Sequence, residues 1–240
     1  MTDPLFSLNG RTILLTGAGG AIGSVVATAL AERGARLALQ DISADKLGPV
    51  RQAVEAAGGT AITLPADLAD PDACGAVVRE AHALLGGLDV LINGAGINRR
   101  KPISEVTADD FDAIAAVNMR SVYFTSQAAH PLMAAGGGGS IVNLSSLSAR
   151  FSFATISVYA ATKAAVTSMT RSCAREWASD RIRVNCIEPF VIKTEFTKPL
   201  WGEDHRQRWF DHVTPLGRLG DPAEVVGSIV FLASDASSWI

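Results

Sequence analysis

The sequence predicts a doubly wound α/β domain, in which helices cover both faces of a single parallel sheet. Short apolar runs alternate with stretches whose apolar positions recur at helical spacing, from residue 11 to residue 187. The apolar runs are nearly continuous, as expected for strands buried on both faces. The chain has 240 residues, of which 48% are hydrophobic and 19% charged. This composition suits one globular domain over residues 1–240.

The elements follow one another in a regular order along the chain. Gly34 and Gly58 close the first two helical stretches, a Thr107–Asp110 capping box opens the longest, and Asp221 before Pro222 opens the last. The predicted strands are 11–15, 36–40, 61–64, 90–92, 141–144 and 183–187, and the predicted helices are 24–33, 44–57, 71–85, 107–135, 159–179 and one from 221. Residues 190–220 have weak periodicity, which indicates a substrate lid.

The composition argues against several classes of function. The net charge is −3 and no basic run is present, so nucleic acid is not an expected partner. The amino terminus does not resemble a secretion signal, and no uncharged apolar run reaches the ~18 residues of a membrane span. Cys74, Cys173 and Cys186 are odd in number and far apart, which argues against a disulfide framework or a metal site. We therefore expect a cytoplasmic protein without a bound metal or a membrane partner.

A glycine-rich turn follows the first strand directly. The segment Thr16–Gly23 joins that strand to a helix, which is the context that a dinucleotide site needs. The alternative is a simple tight turn. Asp41 lies 18 residues after Gly23, at the end of the second strand, where a carboxylate binds ribose hydroxyls and repels a 2′-phosphate. The sequence therefore predicts NAD as the preferred cofactor, with NADP possible, unless Asp41 is only a solvated loop residue.

Other polar residues lie at the ends of later strands. Asp67, Asn93 and Ser146 each follow an apolar run. Because the carboxyl ends of parallel strands meet at one edge of a sheet, we expect these residues to lie beside the glycine turn.

Tyr159 and Lys163 are the candidate catalytic pair. They lie four residues apart, on one face of a predicted helix. The pKa of a free tyrosine is about 10, which is too high for proton exchange at neutral pH, and a neighbouring cation lowers this pKa. Lys163 is placed to act in this way, and Ser146 could hold a substrate oxygen against Tyr159. The alternative is an ordinary solvated pair. Asn118 lies inside a predicted helix, either as a tolerated surface residue or as a polar kink.

With these residues in view, the sequence resembles the short-chain dehydrogenase/reductase family over nearly its whole length. Thr16–Gly23 resembles the family motif TGxxxGxG, with Ala21 in place of the second glycine, and Asn93–Gly96 resembles NNAG with Gly94 in place of the second asparagine. The resemblance implies a Rossmann fold and a catalytic tetrad of Asn118, Ser146, Tyr159 and Lys163. Ser146 is preferred to Ser145 because it stands 13 residues before the tyrosine, a spacing common in the family.

The resemblance also assigns roles within the tetrad. Tyr159 would act as general base in oxidation and as general acid in reduction, while Lys163 would lower its pKa and hold the nicotinamide ribose. Asn118 would anchor a water that links Lys163 to solvent. The residues implied to contact the cofactor are Gly17, Gly20, Ile22, Asp41, Ile42, Asp67, Leu68, Asn93, Ala95, Gly96, Tyr159, Lys163, Pro189, Val191, Ile192 and Thr194.

Two departures from the family pattern stand near the end of the chain. Pro189 is followed by Phe190 instead of glycine, which would narrow the nicotinamide end. A final glycine-rich strand is also missing, so either the chain is truncated or this strand is absent. By resemblance we expect a homo-oligomer, most simply a tetramer, built on the helices that contain Asn118 and Tyr159.

Three segments, FSLNGR near the start, 96–102 and 193–200, are similar to gluconate 5-dehydrogenases and related keto-deoxy-gluconate dehydrogenases. This similarity implies an oxidoreductase that interconverts a secondary alcohol and a ketone on a sugar acid or polyol. Arg99 and Arg100 could bind a substrate carboxylate, together with Ser146 and Tyr159 at the reacting alcohol, or the arginines could be solvated. The rivals are a 3-oxoacyl carrier-protein reductase, a steroid-type dehydrogenase and a non-catalytic NAD-binding sensor. A serine hydrolase is weaker, because no histidine is placed as its base.

Overall fold

The computed structural model describes residues 3–151 and 153–240. Six strands form one parallel sheet in the order β3-β2-β1-β4-β5-β6. They are β1 Thr12–Thr16, β2 Arg36–Asp41, β3 Thr60–Pro65, β4 Val90–Asn93, β5 Gly139–Leu144 and β6 Ile182–Ile187. The strand order reverses between β1 and β4, and a ligand crevice is expected outside the carboxyl ends of strands at such a reversal. The predicted fold class is confirmed.

The helices agree with the predicted pattern to within a few residues, apart from those after residue 190. They are α1 Ala21–Ala31, α2 Ala44–Ala56, α3 Pro71–Leu85, α4 Ala108–Ala115, α5 Ser121–Ala135, α6 Ser157–Trp177, α7 Lys198–Trp201, α8 Asp204–Val213 and α9 Ala223–Ala233. The predicted start of the last helix is present, because the Asp221 carboxylate accepts the Ala223 N–H at 2.9 Å.

The sheet separates two apolar cores. In β1, Ile13 and Leu15 point to the face covered by α1, α2 and α9, while Leu14 points to the face covered by α3, α5 and α6. Each of these side chains is at most 1% exposed. Alternation along a strand is a property of the pleat, so two apolar cores require strands that are apolar at every position. This requirement explains the continuous apolar runs in the sequence.

The long helix predicted over 107–135 is interrupted by a π-helical turn. Residues Ala116–Arg120 have this conformation between α4 and α5, and Asn118 at its centre is completely buried. A π turn adds one residue to the helical repeat and commonly marks a functional site. Asn118 is therefore the polar kink of the two alternatives, and not a surface position.

The predicted lid contains more regular structure than its sequence suggests. The segment includes α7 and α8, and its two ends meet where Lys193 N–H donates to Gly220 O at 2.8 Å. Phe210 packs beneath it with Val191 and Leu219. Among the α8 residues whose burial is described, Phe210 alone is buried. One buried residue cannot produce a periodic pattern, which explains why the helix escapes sequence analysis.

Four further observations concern the described residues only. None of their helices is long and apolar enough to cross a membrane, and they contain no group of three or more potential metal ligands. Beside the α4–α5 junction, Phe111 and Tyr123 are half exposed. The described part of the sheet has six strands, with β6 at one edge. The oligomer stays a prediction.

Candidate active site

The glycine turn brings two loops together at the carboxyl edge of the sheet. Gly17 has φ +68°, and a Cβ at this position would lie 2.8 Å from the Ala95 main chain. A Cβ at Gly23 would lie 2.3 Å from Gly17 O, so only glycine allows α1 to begin this close to the turn. The first N–H groups of α1, including that of Ile22, precede its first hydrogen-bonded turn. This cradle fits a dinucleotide pyrophosphate.

Two buried side chains that sequence analysis did not single out hold this edge together. The Thr16 hydroxyl accepts hydrogen bonds from Gly94 N–H at 3.0 Å and Ala95 N–H at 3.2 Å. Gln40 donates to Ala66 O at 2.8 Å and accepts the Gly17 N–H at 3.3 Å. In the sequence, the sign of their role is that each is a polar residue at the end of an apolar strand. They lock the loops after β1, β3 and β4 in one arrangement.

Asp41 is fixed beside the glycine turn. One carboxylate oxygen accepts the Gly19 N–H and the other the Ser43 N–H, each at 3.1 Å. The next residue, Ile42, is 67% exposed although it is apolar. An exposed apolar side chain beyond a fixed carboxylate suits an adenine ring stacked next to its ribose.

The predicted cofactor residues that follow β3 and β4 differ in whether their side chains are exposed to a ligand. Asp67 is exposed and accepts the Ala69 N–H at 2.9 Å, whereas Leu68 is buried in the core. The Asn93 side chain points into the protein, where it donates to Asn143 at 2.9 Å. It also donates to Ser126 and accepts from Thr125. Asn93 can therefore offer a cofactor only its main chain.

The structure brings the four residues of the predicted tetrad together. The Ser146 side chain lies near the Tyr159 phenol and favours its ionised form, and the Ser146 hydroxyl donates to Ser148 Oγ at 3.0 Å. Lys163 is buried, with its Nζ 5.7 Å from the centre of the Tyr159 ring and donating to Leu144 O at 2.7 Å. Gly96 lies between Asn118 and Lys163, because a Cβ at this position would be 3.5 Å from Asn118 Oδ1 and 3.7 Å from Lys163 Nζ.

Asn118 and Ser145 support the tetrad from behind. The Asn118 amide donates to Ile97 O at 2.9 Å and accepts the Ile97 N–H at 2.8 Å. Its side chain therefore holds the loop after β4, and the water that it was expected to anchor stays a prediction. The Ser145 hydroxyl donates to Lys163 O at 2.9 Å. Of the two neighbouring serines, Ser146 lies near the phenol and Ser145 anchors α6.

The electrostatics of the tyrosine differ from the prediction. Burial raises the pKa of the Tyr159 phenol, while the Ser146 side chain and the positive charge of Arg100 oppose this rise. Burial also lowers the pKa of the Lys163 ammonium to about 8. The lowering of the tyrosine pKa by Lys163 stays a prediction. Arg100 is a further cation that favours the phenolate.

The two arginines of the loop after β4 have opposite surroundings. Arg99 is half exposed and lies 3.2 Å from the Asp110 carboxylate. Arg100 lies near Tyr159, and its Nη1 is buried without a hydrogen-bond partner among the described residues. Both polar atoms of the Asn98 amide are buried and unpartnered in the same way. Arg100 therefore lies at the site, whereas Arg99 is paired with Asp110. The buried amide of Asn98, in the same loop, is a feature that sequence analysis missed.

The segment after β6 closes the far side of the site. Pro189 O accepts the Leu147 N–H at 3.0 Å, and the Thr194 hydroxyl is 3.1 Å from that of Thr197. Thr197 Oγ1 also donates to Ile192 O at 2.5 Å. The predicted Val191 is buried in the apolar cluster under the lid.

Aromatic side chains join this segment to the lid. The ring of Phe190 lies 6.2 Å from Phe153 and 6.1 Å from Phe210, between centres. Phe196 lies 5.9 Å from the Tyr159 ring. Phe190, which replaces the family's glycine, therefore packs the lid against the loop that leads to α6.

Comparison with known proteins identifies the family. A family model described as "Enoyl-(Acyl carrier protein) reductase" matches residues 17–240. The gluconate 5-dehydrogenase of Gluconobacter oxydans is 37% identical over 100% of this chain and 94% of its own length. A solved short-chain type dehydrogenase/reductase of Mycobacterium marinum is 35% identical, with TM-score 0.93, over 98% of this chain and 93% of its own. A gluconate 5-dehydrogenase structure of Burkholderia cenocepacia, in complex with NADP and tartrate, is 34% identical, with TM-score 0.94, over 99% and 93%.

The chain belongs to the short-chain dehydrogenase/reductase family. It is an NAD(P)-dependent oxidoreductase that acts on CH–OH groups of a small-molecule substrate, as the sequence predicts.

We expect the charge of Arg100 to be visible in the titration of Tyr159. Replacing Arg100 by Met removes a cation that favours the phenolate, so the pKa of Tyr159 should rise and the pH profile for oxidation of a neutral polyol should move to higher pH. The chain has two tyrosines, so a Tyr123→Phe background lets tyrosinate absorbance report Tyr159 alone. Arg51→Met removes an equal charge from a distant helix and should leave the profile in place. A profile that is the same in Arg100→Met would contradict the assignment.

Proposed function

We propose that the chain is a sugar-acid dehydrogenase, which interconverts a secondary alcohol and a ketone on a substrate such as D-gluconate. One observation carries this proposal. A buried guanidinium Nη1 of Arg100 and the buried amide of Asn98 have no hydrogen-bond partner in the described part of the chain, and their loop lies beside the segment that leads to the catalytic tyrosine. Buried polar groups without partners are costly, and a bound ligand is the simplest partner for them.

The chemistry of these groups fits a polyhydroxy acid. A guanidinium N–H donates strongly to a carboxylate. The Asn98 amide can donate to the same carboxylate through Nδ2 and accept from a sugar hydroxyl through Oδ1. An acyl thioester or a steroid would offer these groups mainly apolar surface, which leaves their hydrogen bonds unmade.

The tetrad would then perform a reversible proton transfer. In the oxidation direction, the Tyr159 phenolate removes the hydroxyl proton of the substrate, and Ser146 holds the same oxygen in line. In the reduction direction, the Tyr159 phenol returns the proton. When bound, the nicotinamide accepts or donates the hydride, and this chain aligns it and excludes water. Lys163 and Asn118 keep α6 and the loop after β4 in register around these atoms.

The similar proteins support the same substrate class. One relative is named for oxidation of gluconate, and a structure of another holds tartrate with NADP. Both names refer to hydroxy acids, which agrees with the cation that this chain places at its own tyrosine.

Removal of the Arg100 charge should change substrate preference. D-gluconate and D-sorbitol share a carbon skeleton and differ at one end, which is a carboxylate in the first and an alcohol in the second. We expect Arg100→Met to lower kcat/KM for D-gluconate by about tenfold to a hundredfold, since it removes a charged hydrogen bond. The value for D-sorbitol at its own optimal pH should change by about twofold or less. The measurement is NAD(P)H formation with each substrate.

The same assay also covers the rival substrates. Turnover on hydroxyacyl thioesters alone, or an equal loss for both hexose derivatives, would contradict the proposal. Tyr159→Phe should nearly abolish turnover on any substrate while NADH still binds.

For the cofactor, we propose a preference for NAD. Two side chains of opposite charge, Asp41 and Lys46, would act on the 2′-phosphate that distinguishes NADP from NAD. The Asp41 carboxylate would repel a 2′-phosphate, and both of its oxygens are fixed by main-chain N–H groups. Lys46 and Asp41 both lie next to Gly19. A Cβ added at Gly19 would be 2.7 Å from Lys46 Cβ and 3.0 Å from the Asp41 carboxylate. The lysine would attract the same phosphate and allow NADP to bind.

We therefore expect the two substitutions at this edge to act in opposite directions. Asp41→Asn should shift the ratio of Kd values toward NADP by about tenfold, and Lys46→Met should shift it toward NAD by a smaller factor. Direct titration with NADH and NADPH measures both, and an unchanged ratio in Asp41→Asn would refute the role of this carboxylate.

A further inference from the structure

Asp110 lies outside the tetrad but binds the loop that carries Arg100. Its carboxylate is in the first turn of α4 and is 4% exposed as a residue. One oxygen accepts hydrogen bonds from Lys101 Nζ at 2.6 Å, the Thr107 hydroxyl at 2.9 Å and the Thr107 N–H at 3.2 Å. The other accepts Arg99 Nη1 at 3.2 Å. The contacts with Thr107 complete the capping box, but the two cations belong to a different segment of the chain.

The residue between those two cations has different surroundings. Arg99 and Lys101 both reach Asp110, whereas Arg100 lies near Tyr159. Arg100 Nη1 and both polar atoms of the Asn98 amide are buried with no partner among the residues that the structure describes.

The same loop is also attached at both of its ends. The Asn118 amide binds the main chain of Ile97. At the other end, Lys101 N–H donates to Thr155 O at 3.1 Å, which joins the loop to the segment before α6. The main chain of the loop is thus bound by Asn118 at one end and by Thr155 at the other. The Asp110 carboxylate binds the same loop through its side chains.

We propose that Asp110 is a positioning residue for substrate recognition, which holds Arg99 and Lys101 away from the pocket so that Arg100 alone presents its charge to the substrate. This inference rests on the proposed function, in that the anion recognised is the carboxylate of a sugar acid. Three consecutive cations would otherwise compete for one anion. With Asp110 in place, two of them are paired and the third is free to bind.

The charge of Asp110 is stable over the pH range in which a dehydrogenase works. Hydrogen bonds from Lys101 and Thr107 hold the pKa of this carboxyl well below its usual range. The attachment is therefore permanent and does not titrate with the catalytic tyrosine.

The test compares Asp110→Asn with a matched control, Asp109→Asn. Asp109 is the exposed neighbour in the same helical turn, and its carboxylate makes no ion pair among the described residues. In Asp110→Asn we expect KM for D-gluconate to rise about tenfold while KM for D-sorbitol and the Kd of NADH change by about twofold or less. In Asp109→Asn all three should stay near their original values. Equal changes of KM for both substrates in Asp110→Asn would overturn the inference.

Loss of the capping box could destabilise α4, so a second variant avoids it. Lys101→Met removes one of the two cations and leaves the contacts between Thr107 and Asp110 intact. It removes one of the two side-chain attachments that hold the loop of Arg100, so it should raise KM for D-gluconate selectively but by less than Asp110→Asn does. In the double variant Arg100→Met/Asp110→Asn, KM should be no higher than in Arg100→Met alone, since both changes remove one function. Additive increases would show that Asp110 acts by another route.

A final readout needs no turnover, and it separates failure of this inference from failure of the proposed function. Phenylglyoxal modifies accessible guanidinium groups, and peptide mass spectrometry reports the rate for Arg100 itself. Arg100, which is partly buried and has a buried Nη1, should react slowly in the parent chain and in Asp109→Asn, and about fivefold or more faster in Asp110→Asn. An unchanged rate overturns the positioning role. A faster rate in a chain that shows no preference for sugar acids leaves the positioning role standing and refutes only the substrate.

Discussion

The parallel register that sets Thr16 beside Gln40 on one side and Asn93 on the other is the constraint on which the site depends. Because the three strands end together, their last side chains can form hydrogen bonds that join separate loops. The Thr16 hydroxyl holds the loop after β4, and the Gln40 amide holds the glycine turn and the loop after β3. The cofactor edge is thus shaped by buried hydrogen bonds at strand ends, which loop sequences alone could not provide.

The substrate side follows a different rule, because there the structure leaves polar groups unsatisfied. Arg100 and Asn98 keep buried donors and an acceptor without partners, whereas Asp110 next to them is fully hydrogen-bonded. A buried guanidinium N–H without a partner costs stability, so it persists only where the surrounding attachments leave it no alternative. Asp110, Asn118 and Thr155 supply those attachments. The cost in stability leaves an anion site whose groups are already in place. Fewer side chains then have to be ordered when the substrate binds.

Much of this arrangement can be predicted from local sequence. Strand and helix periodicities give the fold, and the spacing of Tyr159 and Lys163 places them on one face of α6. The outcome for Arg99 and Arg100 could not be predicted, because it is decided by Asp110, which lies on another element. The π turn at Asn118 and the helix around Phe210 were also hidden, since neither has a distinctive period. Local patterns therefore give the elements, while contacts between elements assign the roles.

The most direct test of the account is a crystal structure of the chain with NADH and D-gluconate. The account predicts a carboxylate oxygen within hydrogen-bond distance of Arg100 Nη1 and Asn98 Nδ2, and a secondary hydroxyl between Ser146 and Tyr159. Arg99 and Lys101 should remain on Asp110. A gluconate carboxylate bound away from Arg100, with Nη1 still unpartnered, would contradict the claim that these buried groups form the substrate site.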